Sequence, residues 1–208
     1  MQDSKAEPRR LILIRHGESV GNRDRLFTTS PDAELTDLGR QQARQAAELI
    51  ARMFKPGRVV ASPYARARET GQIIACELGL EVDFEHGLHE QSYGHLAGKP
   101  YDLVYEDPGY DPARPWLYKP PGGETREEVR TRVAPVFERI AVTYEREVVI
   151  VSHGGVMQAL WAHITGRWED AHLPPNAGIV LVEYVAGRFS APPRVVGEGS
   201  PTVRLGHL

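Results

Sequence analysis

A single cysteine, Cys76, excludes an intramolecular disulfide framework and any zinc site built from several thiolates. No uninterrupted apolar run approaches the ~18 residues of a membrane span. The run Leu11–Ile14 is too short for the core of a signal peptide. These absences predict a soluble, cytoplasmic chain with no membrane partner. Lysine is scarce, 4 residues against 21 arginines, and the net charge of −3 gives no reason to expect nucleic acid as a partner. No G-x-G-x-x-G follows a strand and no G-x-x-x-x-G-K-[ST] occurs, which removes support for dinucleotide and P-loop nucleotide sites. A G-x-S-x-G elbow is missing too, which weakens an acyl hydrolase.

What is present fits one folded domain. The chain has 208 residues, near the size at which one core still suffices. Its 25% charged residues make wholesale disorder a poor reading. Arg9–Ile14 and Val148–Val151 hold continuous apolar runs, as parallel strands buried on both faces do. Arg58–Ala61, Glu81–Phe84 and Ile179–Val185 read as further strands. Between them, Thr36 caps a helix whose stripe is Ala43, Ala47, Ile50 and Phe54. Ser62-Pro63 looks like the cap and first residue of a second helix, with Cys76 packed on it and Gly79 ending it. A third helix starts around Thr125 and should kink at Pro135. A fourth covers Val156–Ile164.

This alternation predicts a single-domain α/β fold, a doubly wound and mostly parallel sheet with helices on both faces. The core should span about 9–185. Residues 100–121 hold six of the 16 prolines and five of the 16 aromatics, Tyr101, Tyr105, Tyr110, Trp116 and Tyr118. That composition predicts an ordered, lid-like insertion whose aromatics line an apolar pocket. The tail 186–208 should run over the surface, weakly ordered.

Ligands of open α/β sheets bind beyond the carboxyl ends of the strands. Three clusters fall there: Arg15-His16-Gly17-Glu18 with Asn22, Ser62 with Arg66 and Arg68, and Ser152-His153-Gly154-Gly155. Two imidazoles and several guanidiniums make an anion cradle, and the glycines let backbone N–H groups come close. A tetrahedral phosphate is the natural guest. An imidazole can also attack phosphorus, splitting one displacement into two through a phosphohistidine. The arginines would supply the charge, so neither a metal nor a cofactor is expected. The rival is a metal site from His86, His89, Glu90 and His95, but that spacing matches no strong zinc pattern.

Six ordered elements carry a resemblance to a known family. They are Leu13–Ser19 with Asn22, Leu35–Ala43, Ser62–Thr70, Leu88–Gly94, Pro121–Glu124 and Val151–Gly155. Together they resemble the histidine phosphatase superfamily, the phosphoglycerate-mutase-like clan. The resemblance implies His16 as the nucleophile and Arg15, Arg66 and His153 as holders of the phosphoryl group. It also implies a hydrogen bond from Asn22 and Glu90 as the proton donor to the leaving oxygen. Gly154, Thr28 and Thr29 complete the expected substrate-binding set. Glu18 lies close to His16 and could equally cap a helix. The pattern departs at Ala97, where the family often writes glutamate, and at Thr28-Thr29, near a usual glycine. The paired arginines of mutase-like members are replaced by Lys99-Pro100 and later Arg114 and Lys119.

The leading expectation is a metal-independent phosphomonoesterase that takes a small-molecule phosphate ester or a phosphopeptide and releases inorganic phosphate. A phosphoglycerate-type mutase is the alternative enzyme. A phosphate-binding interaction protein without turnover is the alternative from another class.

Overall fold

The computed structural model describes residues 8–144, 147–189, 192–196 and 203–204. From the N-terminus come β1 (Arg9–Arg15), the short helix α1 (Val20–Arg23), α2 (Asp37–Met53), β2 (Arg58–Ala61), α3 (Ala65–Leu78) and β3 (Val82–Phe84). After several 3-10 turns follow α4 (Arg126–Thr143), β4 (Val148–Ser152), α5 (Gly154–Thr165), β5 (His172–Leu173) and β6 (Ile179–Val185). β7 (Arg188–Phe189), β8 (Arg194–Val196) and β9 (Val203–Arg204) end the series.

The main sheet runs in the order β3-β2-β4-β1-β6-β7, with β8 also paired to β6. Alternation along the strands divides the core into two. Leu11 and Leu13 of β1, with Val148 and Ile150 of β4, face α4 and α5. Ile12, Ile14, Val149 and Val151 face α2 and α3. Each apolar run is therefore buried on both sides, which is why it is continuous rather than alternating. The result is a single α/β domain with helices on both faces.

Parallel pairing holds for β3, β2, β4 and β1, but β6 runs antiparallel to β1, and β7 and β8 antiparallel to β6. The sheet is more mixed than the sequence suggests. The reason is the segment between α5 and β6, which climbs back to the carboxyl end of β1 before the chain re-enters the sheet. There the Arg15 N–H donates to the Gly178 carbonyl at 3.2 Å, and the Ala177 N–H donates to that of Arg15 at 3.0 Å.

Other expectations change as well. In the tail, β7 and β8 extend the sheet instead of lying loose on the surface. The rest of the tail beyond Phe189, apart from 192–196 and 203–204, lies outside the described residues. α3 begins at Ala65, after Tyr64, because the Ser62 hydroxyl is engaged elsewhere. Cys76 is exposed rather than packed. α4 continues through Pro135, with Thr125 and Glu128 forming a capping box at its start. In residues 100–121, Tyr101–Glu106 and Pro115–Leu117 form 3-10 turns. Val104 packs there with Phe27 and Leu96, among the rings of Tyr93, Tyr101, Tyr110 and Tyr118.

Candidate active site

The carboxyl ends of β1, β2 and β4 open onto a small cleft. Arg15, His16, Asn22, Thr28, Arg66, Glu90 and Gly154 all line it. The loop after β1 is fixed by a backbone contact that only glycine permits. A Cβ on Gly17 would lie 2.3 Å from the Gly39 carbonyl oxygen, and one on Gly39 would lie 2.1 Å from that of Glu18. α2 thereby presses its first turn against the histidine loop. The Glu18 carboxylate accepts from the Thr36 hydroxyl at 2.7 Å, beside the α2 cap, and does not line the cleft.

His16 is buried, and its Nδ1 lies 2.7 Å from the Gly17 carbonyl oxygen. A carbonyl only accepts, so Nδ1 carries the proton and Nε2 keeps its lone pair. The Arg66 Nε–H donates to that Nε2 at 3.2 Å. Burial first, then the charges of Arg66 and Arg15, hold the His16 pKa well below the ordinary histidine value. His16 is thus a neutral imidazole with one nitrogen available.

His153 meets His16 edge-on, with ring centroids 5.2 Å apart. It too is held neutral, by burial and then by Arg66. Its Nε2 lies 2.8 Å from the Ser62 hydroxyl, while its Nδ1 is buried without a partner. Arg66 also donates from Nη1 to the Ser30 carbonyl at 3.0 Å and from Nη2 to the Thr28 carbonyl at 3.2 Å. Arg15 donates to the Pro174 carbonyl at 2.9 Å, and its Nε is buried and unpaired. Burial lowers the pKa of both arginines, but guanidiniums stay charged throughout. Two orphaned nitrogens, on Arg15 and His153, therefore accompany the Nε2 lone pair. Buried orphans of this kind are rare, and these two are donors of the sort that acceptor oxygens can satisfy.

Glu90 is buried, with one oxygen accepting from the Gln91 N–H at 2.8 Å and the other from the Gly155 N–H at 3.4 Å. A Cβ at Gly155 would lie 2.7 Å from its Oε1, so the glycine makes room for the carboxylate.

Not every expected residue lines the cleft. Thr29 does not, and His153 lies fully buried behind His16 and outside the lining; Thr28 does, but its hydroxyl turns to the Leu26 carbonyl at 3.1 Å. Arg68 is exposed. Of the aromatics in residues 100–121, Tyr101 lines the cleft, whereas Trp116 stacks on Trp168 and the Tyr118 hydroxyl donates to Asp107 at 2.6 Å. The expected apolar pocket is formed in part: Tyr110 and Tyr118 line a mostly apolar cavity with Phe27, Leu96 and Val104 beside the cleft, while Trp116 stays out of it. His89 turns its Nδ1 to the His86 carbonyl at 2.7 Å. Among the described residues, no three His, Cys, Asp or Glu side chains gather as metal ligands.

Several residues at the site gave no signal in the sequence. Asn176 donates from Nδ2 to the His16 carbonyl at 3.1 Å and to Asn22 Oδ1 at 2.9 Å, behind the cleft wall. Tyr93, Arg126 and Gln158 line the cleft itself. Arg126 stands two residues past the Pro121–Glu124 element.

Known proteins are similar to this chain in sequence and fold. Phosphoglycerate mutase-like protein 4 of Arabidopsis thaliana is 35% identical over 164 residues, 73% of this chain and 69% of that one. Glucosyl-3-phosphoglycerate phosphatase of Mycolicibacterium vanbaalenii is 33% identical over 172 residues, 76% of this chain and 75% of that one. The native structure of a mycobacterial glucosyl-3-phosphoglycerate phosphatase aligns with a TM-score of 0.77 at 28% identity, over 91% of this chain and 97% of that one. The family model of the histidine phosphatase superfamily, branch 1, matches residues 11–192. The chain therefore belongs to the histidine phosphatase superfamily.

Proposed function

We propose that this protein is a phosphatase that hydrolyses phosphomonoesters through a phosphohistidine on His16. The observation that carries this is the pairing of an unprotonated His16 Nε2 with two orphaned nitrogens, Arg15 Nε and His153 Nδ1. The ester's phosphoryl oxygens take up those nitrogens and the Arg66 N–H. His16 Nε2 attacks phosphorus, and the P–O bond to the leaving group breaks as the N–P bond forms. Glu90 is the group that hands a proton to the departing oxygen. A water then attacks the phosphohistidine while Glu90 takes its proton, and inorganic phosphate leaves. Arg15 and Arg66 supply fixed positive charge where it develops in the transition state, so the route calls for no metal. Asn22 and Asn176 hold the loop, and residues 100–121 act as a lid-like insertion touching the cleft through Tyr101. Relatives named as phosphatases and as mutases both occur.

Three measurements test this reading. A generic aryl phosphate should be hydrolysed, with the rate unchanged after exhaustive chelation. Radiolabelled ester should leave a protein label that acid removes and alkali preserves, as a phosphoramidate behaves, and His16→Ala should not acquire it. Glu90→Gln should slow alkyl phosphates much more than activated aryl phosphates, because good leaving groups need little protonation. A label retained in His16→Ala, or phosphoglycerate interconversion outpacing phosphate release from every ester, overturns the proposal.

A further inference from the structure

Arg126 takes no part in the steps above. It is the first residue of α4, is only 7% exposed, and lines the same cleft as His16. A buried guanidinium ordinarily sits against a carboxylate, because an unpaired buried charge is costly. Three carboxylates lie within two residues of it in sequence, and each is committed elsewhere. Glu124 pairs with Arg132 at 3.1 Å and accepts from the Ser92 N–H at 2.9 Å. Glu127 pairs with Arg130 and accepts from the Trp168 indole at 2.8 Å. Glu128 pairs with Lys119 at 2.5 Å and accepts from the Thr125 N–H at 2.8 Å. Among the described residues, Arg126 has no ion pair, no side-chain hydrogen bond and no ring stacked against it.

Its position is set apart from the phosphoryl cradle. The two imidazoles respond to Arg66 and Arg15, whereas the charge of Arg126 is felt at Tyr93 and Tyr110. Arg126 also borders the mostly apolar cavity of Phe27, Leu96 and Val104, and with Tyr93 and Phe27 it is shared between that cavity and the cleft.

Building on the phosphatase reading, we propose that Arg126 determines specificity by binding a carboxylate on the part of the substrate that is not transferred. The preferred substrates are then phosphomonoesters that also carry a carboxylate. One planar guanidinium matches one carboxylate bidentately. A second phosphate dianion would call for a further cation, and the other guanidiniums lining the cleft, Arg15 and Arg66, belong to the cradle.

Matched esters test this. 3-Phosphoglycerate differs from glycerol 3-phosphate by a carboxylate in place of a hydroxymethyl group, and O-phosphoserine differs from O-phosphoethanolamine by the carboxylate alone. The wild-type protein should favour the carboxylated member of each pair about tenfold or more in kcat/KM. Arg126→Met should lose about 10- to 100-fold on that member, chiefly through KM, and hardly change on the other or on an aryl phosphate. Arg126→Lys should recover part of the loss. Absence of a wild-type preference, or an equal loss on all esters in both variants, overturns the proposal. Calorimetric binding of the same four esters reads the preference without turnover. A protein that prefers the carboxylated esters yet hydrolyses none would refute the phosphatase reading and keep the Arg126 site.

Discussion

Arg66 Nε lies 3.2 Å from His16 Nε2, the atom that attacks phosphorus in the mechanism proposed above. On that mechanism the lone pair of the free site is held by the same guanidinium that goes on to hold the phosphoryl group. An anionic phosphoryl oxygen is a stronger acceptor than an imidazole nitrogen, so substrate draws the Arg66 N–H away and frees the lone pair. The nucleophile is guarded until its target arrives.

Arg66→Lys keeps the charge but not the fork that also reaches the Thr28 and Ser30 carbonyls. It should cost about 10²-fold or more in kcat/KM on an aryl phosphate, as loss of an oriented transition-state donor does. A Lys variant within a few-fold of wild type would mean that charge alone suffices.

Ser62 is expected to position His153. Its hydroxyl oxygen accepts from the Tyr64 N–H at 3.4 Å, leaving its proton for His153 Nε2 at 2.8 Å. That fixes the proton of the neutral imidazole on Nδ1, the atom left without a partner. Ser62→Ala should lower kcat by about tenfold and alter the pH profile, with Ser62→Thr restoring both. Equal losses in the Ala and Thr variants would point to packing instead.

Stability should fall in mild acid. His16 and His153 both have folded-state pKa values well below the ordinary one. As pH drops below about 6.5 the unfolded chain takes up protons first, so the stability present above that pH is progressively lost. Each histidine contributes up to about 1.4 kcal/mol per pH unit over that window. Thermal melts in phosphate-free buffer at pH 7.5, 6.5 and 5.5 should show a declining Tm, less steep in His153→Asn. A flat Tm over that range would mean that the histidines are not held neutral.

Trp116 and Trp168 lie parallel, 6.2 Å between centroids and 4° between planes. Trp116→Ala should therefore destabilise the fold by about 2 kcal/mol while leaving the relative rates among esters unchanged. Tyr101 lines the cleft and its hydroxyl accepts from Asn22 Nδ2 at 3.4 Å. Tyr101→Ala should change those relative rates. The reverse pattern would place the substrate under Trp116.

Local chemistry made much of this legible in the sequence. Leu11–Ile14 and Val148–Val151 reveal buried strands because both faces must be apolar; Thr36 and Thr125 mark helix starts by hydroxyls that accept backbone N–H groups, and Gly79 marks an end by its left-handed backbone. His16, Arg66 and His153 stand out because each follows a strand that must end at the same sheet edge. Asn176 does not, since an asparagine after two prolines reads as an ordinary turn, and only the antiparallel return of β6 brings it to the His16 carbonyl. Ser62 misleads for a related reason. Its sequence neighbours suggest a helix cap, whereas its hydroxyl bonds to a residue far along the chain. Arg126 becomes conspicuous only once the partners of three neighbouring glutamates are known.

The parallel pairing of Leu11–Arg15 with Val148–Ser152 has a consequence for biosynthesis. The histidine at the end of β1 leaves the ribosome early, but the strand beside it and His153 are made much later. Non-local pairing of this kind is slow, because a long stretch of chain must be closed before any contact rewards it. The nascent polypeptide therefore carries His16 through most of translation without His153 beside it. The anion cradle is assembled late and nearly all at once, when Val148–Ser152 takes its place next to β1.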